Sequence, residues 1–189
     1  MRQSWSRTLP IAAALVALQI AVLHWYGQPA FSASGKLLLW VGDPLSPETS
    51  QQFSDWYSFS HLIHGFIFYG LLHLLAPRLP IGVRILIAMG IEISWELAEN
   101  TPMVINAYRQ QALAVGYSGD SIFNSVCDTL TMCTGFFLAS RLPVWATIAL
   151  AIAFELFTGY MIRDNLTFNV LNFVMPLDFV HKWQAGFGH

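Results

Sequence analysis

A chain of 189 residues that is 55% hydrophobic and 11% charged, with a mean hydropathy of +0.51, is too apolar for a soluble domain, which usually carries about 25% charged residues. Composition therefore predicts an integral membrane protein. A net charge of −2 and no basic patch argue against nucleic acid as a partner. Cys127 and Cys133 fall on different faces of one apolar segment and read as reduced core thiols rather than a disulfide or a zinc pair.

In chain order, residues 1–7 carry Arg2 and Arg7 and no acid, and an apolar run over 9–26 is close to the ~20 residues that cross a bilayer. It could instead be a signal peptide, with Ala30-Phe31-Ser32 as a weak small-x-small cleavage site. His24, Trp25 and Tyr26 have the character of interfacial anchors. Residues 28–57 form an external loop, in which Lys36–Val41 could lie on the membrane surface and Ser46-Pro47-Glu48 has the form of a helix start. A second span is expected over 58–75, broken by Pro77 and Pro80, and a third over 81–98. Thr101-Pro102 predicts a short covering helix to Val115, stopped by Gly116, within an external loop 99–120. Tyr117-Ser118-Gly119-Asp120 caps a fourth span over 121–139, and Arg141 with Pro143 turns the chain into a fifth over 144–162. The tail 165–189 is too interrupted to span and reads as an interfacial helix or loop. No internal repeat or linker is visible, so 1–189 is expected to be a single all-α membrane domain, a polytopic helix bundle with short external helices.

Charge sets the orientation. Arg2, Arg7, Arg78, Arg84 and Arg141 share one side with no acid, which puts the N-terminus in the cytoplasm and the C-terminus outside. On that topology the polar residues of the spans collect at the outer end of the bundle. Glu92, Glu96 and Glu99 stand at i, i+4 and i+7, one helix face, with Asn100 beyond them. Asp120, Asn124 and Asp128 repeat the pattern at i, i+4 and i+8. At 1.5 Å per residue, His64, Glu96, Asp128 and Glu155 fall roughly 5–12 Å below the outer surface. A carboxylate at membrane depth normally faces a protein interior, a cavity or a partner, so a polar pocket open to the outside is expected.

Each group carries a functional and a bland reading. His61 and His64, at i and i+3, could hold a divalent metal ion with Glu96 and Asp128, or could clamp the glutamates structurally. Glu96, Glu99 and Asp128 are the candidate catalytic acids and bases; equally, they could hydrogen-bond one helix to another. Glu92, Asn100, Asp120, Asn124 and Glu155 make up a supporting polar shell, in which Glu155 is expected to pair with a neighbour. Arg109 could receive a phosphate or stay solvated, and Trp95, Tyr117 and Tyr160 read as belt residues.

The motifs His61-x-x-His64-Gly65, Trp95-Glu96-x-x-Glu99-Asn100 and Tyr117-Ser118-Gly119-Asp120-Ser121-x-x-Asn124-Ser125-x-x-Asp128 resemble an uncharacterised family of small bacterial multi-pass inner-membrane proteins. The resemblance covers roughly residues 10–180 and implies a bacterial cell membrane but no activity. More distantly, the acid-bearing third and fourth spans look like those of VanZ-like membrane proteins. Three functions remain open at this stage. One is an enzyme acting on a lipid or lipid-linked substrate. The second is a non-catalytic assembly or lipid-binding protein whose polar cluster is structural. The third is a proton-coupled transporter, disfavoured because the inner half of the bundle lacks polar stepping stones.

Overall fold

The computed structural model describes residues 5–114 and 116–187, and within them the fold is all-α, with an isolated bridge between Val41 and Asp55 in place of any named strand. Arg2, Val115 and His189 lie outside the described residues. The helices are α1 (Trp5–Tyr26), α2 (Ser58–Leu75), α3 (Ile81–Glu99), α4 (Pro102–Tyr108), α5 (Ile122–Arg141), α6 (Val144–Ile162), α7 (Leu166–Val174) and α8 (Asp178–Ala185). Prolines set several starts: Pro80 and Pro143 stand at the N-caps of α3 and α6, and Pro102 opens α4, where the missing N–H costs nothing. Ser121 caps α5 through its side chain, which accepts from Asn124 N, and Asn165 caps α7 in the same way.

Four helices, α1, α2, α5 and α6, are long and apolar enough to cross a membrane, which makes this a membrane protein. The sequence suggested five. Helix α3 is as long, at 19 residues, but Arg84, Glu92, Glu96 and Glu99 keep it out of the apolar set. Those acids are carried inward, and α3 packs against α1, α2 and α5. Helix α5 is the centre of the bundle and is mostly buried, whereas α1 and α6 are mostly exposed. Trp145, Ile148, Ile152 and Leu156 form an exposed apolar stripe along α6. The core joins Ile85, Ala88, Met89 and Ile93 of α3 to Met132 and Phe136 of α5.

Two glycines set the closest crossing. A Cβ on Gly65 of α2 would collide with the Met132 carbonyl, and one on Gly135 of α5 would collide with the Leu62 carbonyl. Small residues facing each other in this way let two membrane helices approach backbone to backbone.

Several local expectations are corrected. Ser46-Pro47-Glu48 forms turns and no helix: the Ser46 hydroxyl accepts from Glu48 N, and the chain reverses at Ser50, at φ 62°. Buried Gln52 organises this loop, accepting from Leu38 N and donating to the Lys36 carbonyl and to Glu48. Helix α4 stops at Tyr108, well short of residue 115, and turns follow it. The tail is more than an interfacial segment: α7 and α8 fold back onto the bundle, where Gln184 Nε2 donates to Asp164 Oδ1 at 3.0 Å.

Candidate functional site

The site is assembled from three helices and the loops that bind their outer ends. Before α2, the buried Asp55 carboxylate accepts from Ser50 N and Tyr57 N, which fixes how the helix enters the bundle. One turn in, His61 and His64 both face Glu92 of α3. His61 Nδ1 lies 2.6 Å from Glu92 Oε1, and His64 Nδ1 lies 3.1 Å from Glu92 Oε2. Glu92 is fully buried at 0% exposure, so both its oxygens are occupied by imidazoles away from water. Engaging Nδ1 leaves His61 Nε2 free, and it sits 3.8 Å from Asp128 Oδ2 on α5. A carboxylate that holds one imidazole nitrogen while the other faces a metal is the usual outer support of a histidine ligand.

One turn further along α3, Glu96 is 1% exposed. Its Oε2 accepts from the Ser125 hydroxyl of α5 at 2.6 Å, whereas Oε1 is buried with no hydrogen-bond donor, 3.5 Å from His61 Nδ1. At the end of α3, Asn100 and Asp120 exchange two hydrogen bonds: Asn100 Nδ2 donates to Asp120 Oδ2, and Asp120 N donates to Asn100 Oδ1, both at 2.7 Å. Tyr117 adds its hydroxyl to Asp120 Oδ1 at 2.9 Å. This clasp needs Gly119, whose φ of +94° lies in the left-handed region and where a Cβ would strike Gln28 and Asn100. Burial pushes the Asp120 carboxyl up to about 6, despite the hydrogen bonds from Asn100 and Tyr117, and burial likewise raises the Tyr117 phenol.

Above these groups lies a cavity of about 680 Å³, within the range of small-molecule sites. His61, His64, Glu96, Glu99, Asp120 and Asp128 line one part of it, and Trp95, Val104, Leu113, Val170, Phe173 and Val174 line another. The cover is aromatic: the Tyr108 and Phe173 rings meet edge to face at 4.7 Å, with Tyr117 and Trp95 beside them. Tyr108 also donates to Asn169 Oδ1 at 3.2 Å, tying α4 to α7. No lysine or arginine is among the described lining residues.

Of the residues singled out in the sequence, His61, His64, Glu92, Glu96, Glu99, Asp120 and Asp128 come together, and three sets could each hold a metal ion: His61–His64–Glu92, His61–Glu96–Asp128 and Glu96–Glu99–Asp120. Within each set one ligand atom per residue lies within 4.8 Å of the others. Asn124 does not join Asp128; its Nδ2 donates to the Gln52 carbonyl and anchors the 28–57 loop. Glu155 is apart from the cluster and accepts from Leu166 N and Thr167 N, each at 3.0 Å, holding the start of α7. Arg109 is exposed and donates to the Tyr117 carbonyl. Trp95 and Tyr117 line the cavity, while Tyr160 is 85% exposed.

Sequence reasoning gave no role to Gln19, Ser125, Thr129 or Asp164. Gln19, fully buried on α1, donates to the Ser125 hydroxyl at 2.8 Å and accepts from the Thr129 hydroxyl at 3.2 Å. A glutamine amid an apolar run was the available signal. Asp164 follows α6 and lines the cavity, accepting from Tyr57, Asn165 N and Gln184. Burial pushes its carboxyl up to about 7.

Fold and site together define a helical membrane protein that encloses a carboxylate- and histidine-lined cavity near one end of its bundle. Residues 23–186 match the family described as "Protein of unknown function (DUF2585)", and the chain belongs to that family. It is 54% identical over 176 residues to a UPF0314 protein of Sphingopyxis alaskensis, covering 93% of this chain and 94% of that one. A UPF0314 protein of Rhizobium meliloti is 56% identical over 172 residues, 91% of this chain and 87% of the relative. One of Agrobacterium fabrum is 46% identical over 187 residues, 97% and 94%. No solved structure matches. The more distant likeness to VanZ-like proteins gains no support from these matches.

Proposed function

We propose that this protein is a multi-pass enzyme of the bacterial inner membrane that hydrolyses or transfers a group on a lipid or lipid-linked substrate. The observation that carries this reading is the cavity, in which apolar walls suited to a chain meet a set of carboxylates and imidazoles suited to chemistry. Arg7, Arg78, Arg84 and Arg141 lie at or near the helix ends away from the cavity, which by the positive-inside rule gives a cytoplasmic N-terminus, a periplasmic C-terminus and a cavity on the periplasmic side.

In this reading, His61, Glu96 and Asp128 hold a divalent metal ion with Glu92 steering His61, and Glu99 serves as the acid or base nearer the mouth. His64 completes the clamp on Glu92. The ion would supply Lewis-acid activation of a bound oxygen. The aromatic cover of Tyr108, Tyr117 and Phe173 would keep the reacting bond away from water.

The test is a lipid and lipid-linked metabolite profile of a deletion strain complemented with the parent or with Glu96→Gln at matched abundance. The parent is expected to restore the profile and Glu96→Gln to leave it as in the deletion. Full restoration by Glu96→Gln would overturn the enzyme reading. A second reading, a non-catalytic assembly or lipid-binding protein, draws support from how much of the cluster is internally bonded: Glu92 by two histidines, Asp120 by Asn100 and Tyr117. It predicts that Glu96→Gln acts through loss of abundance alone.

A further inference from the structure

We infer that the cavity holds a pair of divalent cations with Glu96 as the shared ligand, the second ion lying between Glu96, Glu99 and Asp120. The inference deepens the metal-enzyme reading above and rests on it.

Two of the candidate metal sets, His61–Glu96–Asp128 and Glu96–Glu99–Asp120, have one residue in common, Glu96. A carboxylate shared in this way is how paired-metal sites place their ions about 3.5–4 Å apart. A cluster of acids alone would not carry the point. The independent observation is Glu96 Oε1, a buried oxygen of a cavity-lining residue that accepts no hydrogen bond, since His61 Nδ1, 3.5 Å away, is committed to Glu92. An unpaired buried acceptor costs about 1–3 kcal/mol, more for a charged group. Its partner oxygen already accepts from Ser125, which leaves Oε1 as the oxygen without a hydrogen bond.

Charge points the same way. Glu92, Glu96, Glu99, Asp120 and Asp128 give five carboxylates around two imidazoles that ligate only when neutral. Each divalent cation would offset two of the charges that these carboxylates carry when ionised. No lysine or arginine is among the described lining residues to offset them. The same lack means that an anionic headgroup entering this cavity would find its positive charge on the ions.

The two positions differ in chemistry. The first has an imidazole and two carboxylates and suits several transition metals. The second is all carboxylate, supported by Asn100 and Tyr117 behind Asp120, and suits a hard, oxygen-seeking ion such as Mg²⁺ or Mn²⁺.

The experiment uses Mn²⁺ alone as the probe. Full-length protein purified in detergent is stripped with chelator, reloaded and measured by elemental analysis and electron paramagnetic resonance, beside Asp120→Asn, Glu99→Gln and Glu96→Gln. The parent is expected to bind two Mn²⁺ per chain with an exchange-coupled spectrum. Asp120→Asn and Glu99→Gln should each fall to one, with the six-line signal of an isolated ion, and Glu96→Gln should lose both. Two variants of the second position guard against one that fails to fold, and only variants that elute as the parent does on gel filtration are scored. A parent that binds one Mn²⁺ overturns the pair and leaves the single-ion enzyme intact. Two ions that persist in both second-position variants also overturn it. A parent that binds none overturns both this inference and the metal form of the enzyme.

Discussion

The Ser125 hydroxyl donates to Glu96 Oε2 at 2.6 Å while Oε1 of the same carboxylate stays without a donor. One oxygen of Glu96 is thus held by the scaffold, and the other accepts no hydrogen bond. Ser125 is held in turn by Gln19, so a chain of side chains from α1 through α5 fixes the carboxylate on α3. Ser125→Ala should free Glu96 Oε2 and Gln19 Nε2 of this partner and destabilise the protein by about 1–3 kcal/mol. Thermal unfolding in detergent reads this directly. In a double variant with Gln19→Leu the two losses should fall short of additive, because both break one network.

The crossing of α2 on α5 depends on Gly65 and Gly135. Gly65→Ala should force the helices apart and cost about 1–3 kcal/mol. Gly70→Ala, on the same helix with nothing within 4 Å of its added Cβ, should be near neutral or slightly stabilising. Equal unfolding temperatures for the two variants would show that the glycine contact does not govern the crossing.

Asp164 makes stability depend on pH. Burial raises its carboxyl from 3.8 to about 7, with Glu155 adding like charge and the hydrogen bonds from Asn165, Tyr57 and Gln184 opposing the rise. The folded protein therefore holds a proton that the unfolded chain releases between those values. This contribution is fully present below about pH 4 and is lost as pH rises through about 7, with an upper bound of about 4 kcal/mol from the shift. In Asp164→Asn the fall in stability across that window should flatten, as followed by chemical denaturation at fixed pH steps.

Glu155 can be separated from the cavity. Its carboxylate accepts from Leu166 N and Thr167 N at the start of α7, where a negative charge also favours the helix dipole. Glu155→Ala should loosen α7 by about 0.5–2 kcal/mol, seen as faster amide exchange over residues 166–174. Its Mn²⁺ content should equal that of the parent.

The all-α fold was legible because mean hydropathy and proline positions act locally: Pro80, Pro102 and Pro143 mark helix starts whatever the tertiary context. The common face of Glu92, Glu96 and Glu99 follows likewise from helical period. Nothing local reveals that Gln19 meets Ser125, a contact 106 residues apart, or that Gln52 in a polar loop is buried. Glu155 was expected to pair with a neighbour, and it does, but its partner was not legible. Its depth along the helix suggested the shell, but depth does not fix azimuth, and it turns to the backbone of α7. The tail's place as cavity wall was not legible because α7 and α8 are short and mixed in composition, and that place comes from Asp164, Gln184 and Asn169 bonding across the fold.

The bond between Gln19 and Ser125 also orders the protein's assembly in time. Helix α1 leaves the ribosome with a carboxamide in the middle of an apolar stretch, and its acceptors lie on α5, more than a hundred residues later in synthesis. Until then that amide lacks the partners it has in the folded protein. Closure of the bundle is therefore a late event, and a nascent chain arrested before Thr129 would present to membrane quality control a polar mark that the finished protein hides.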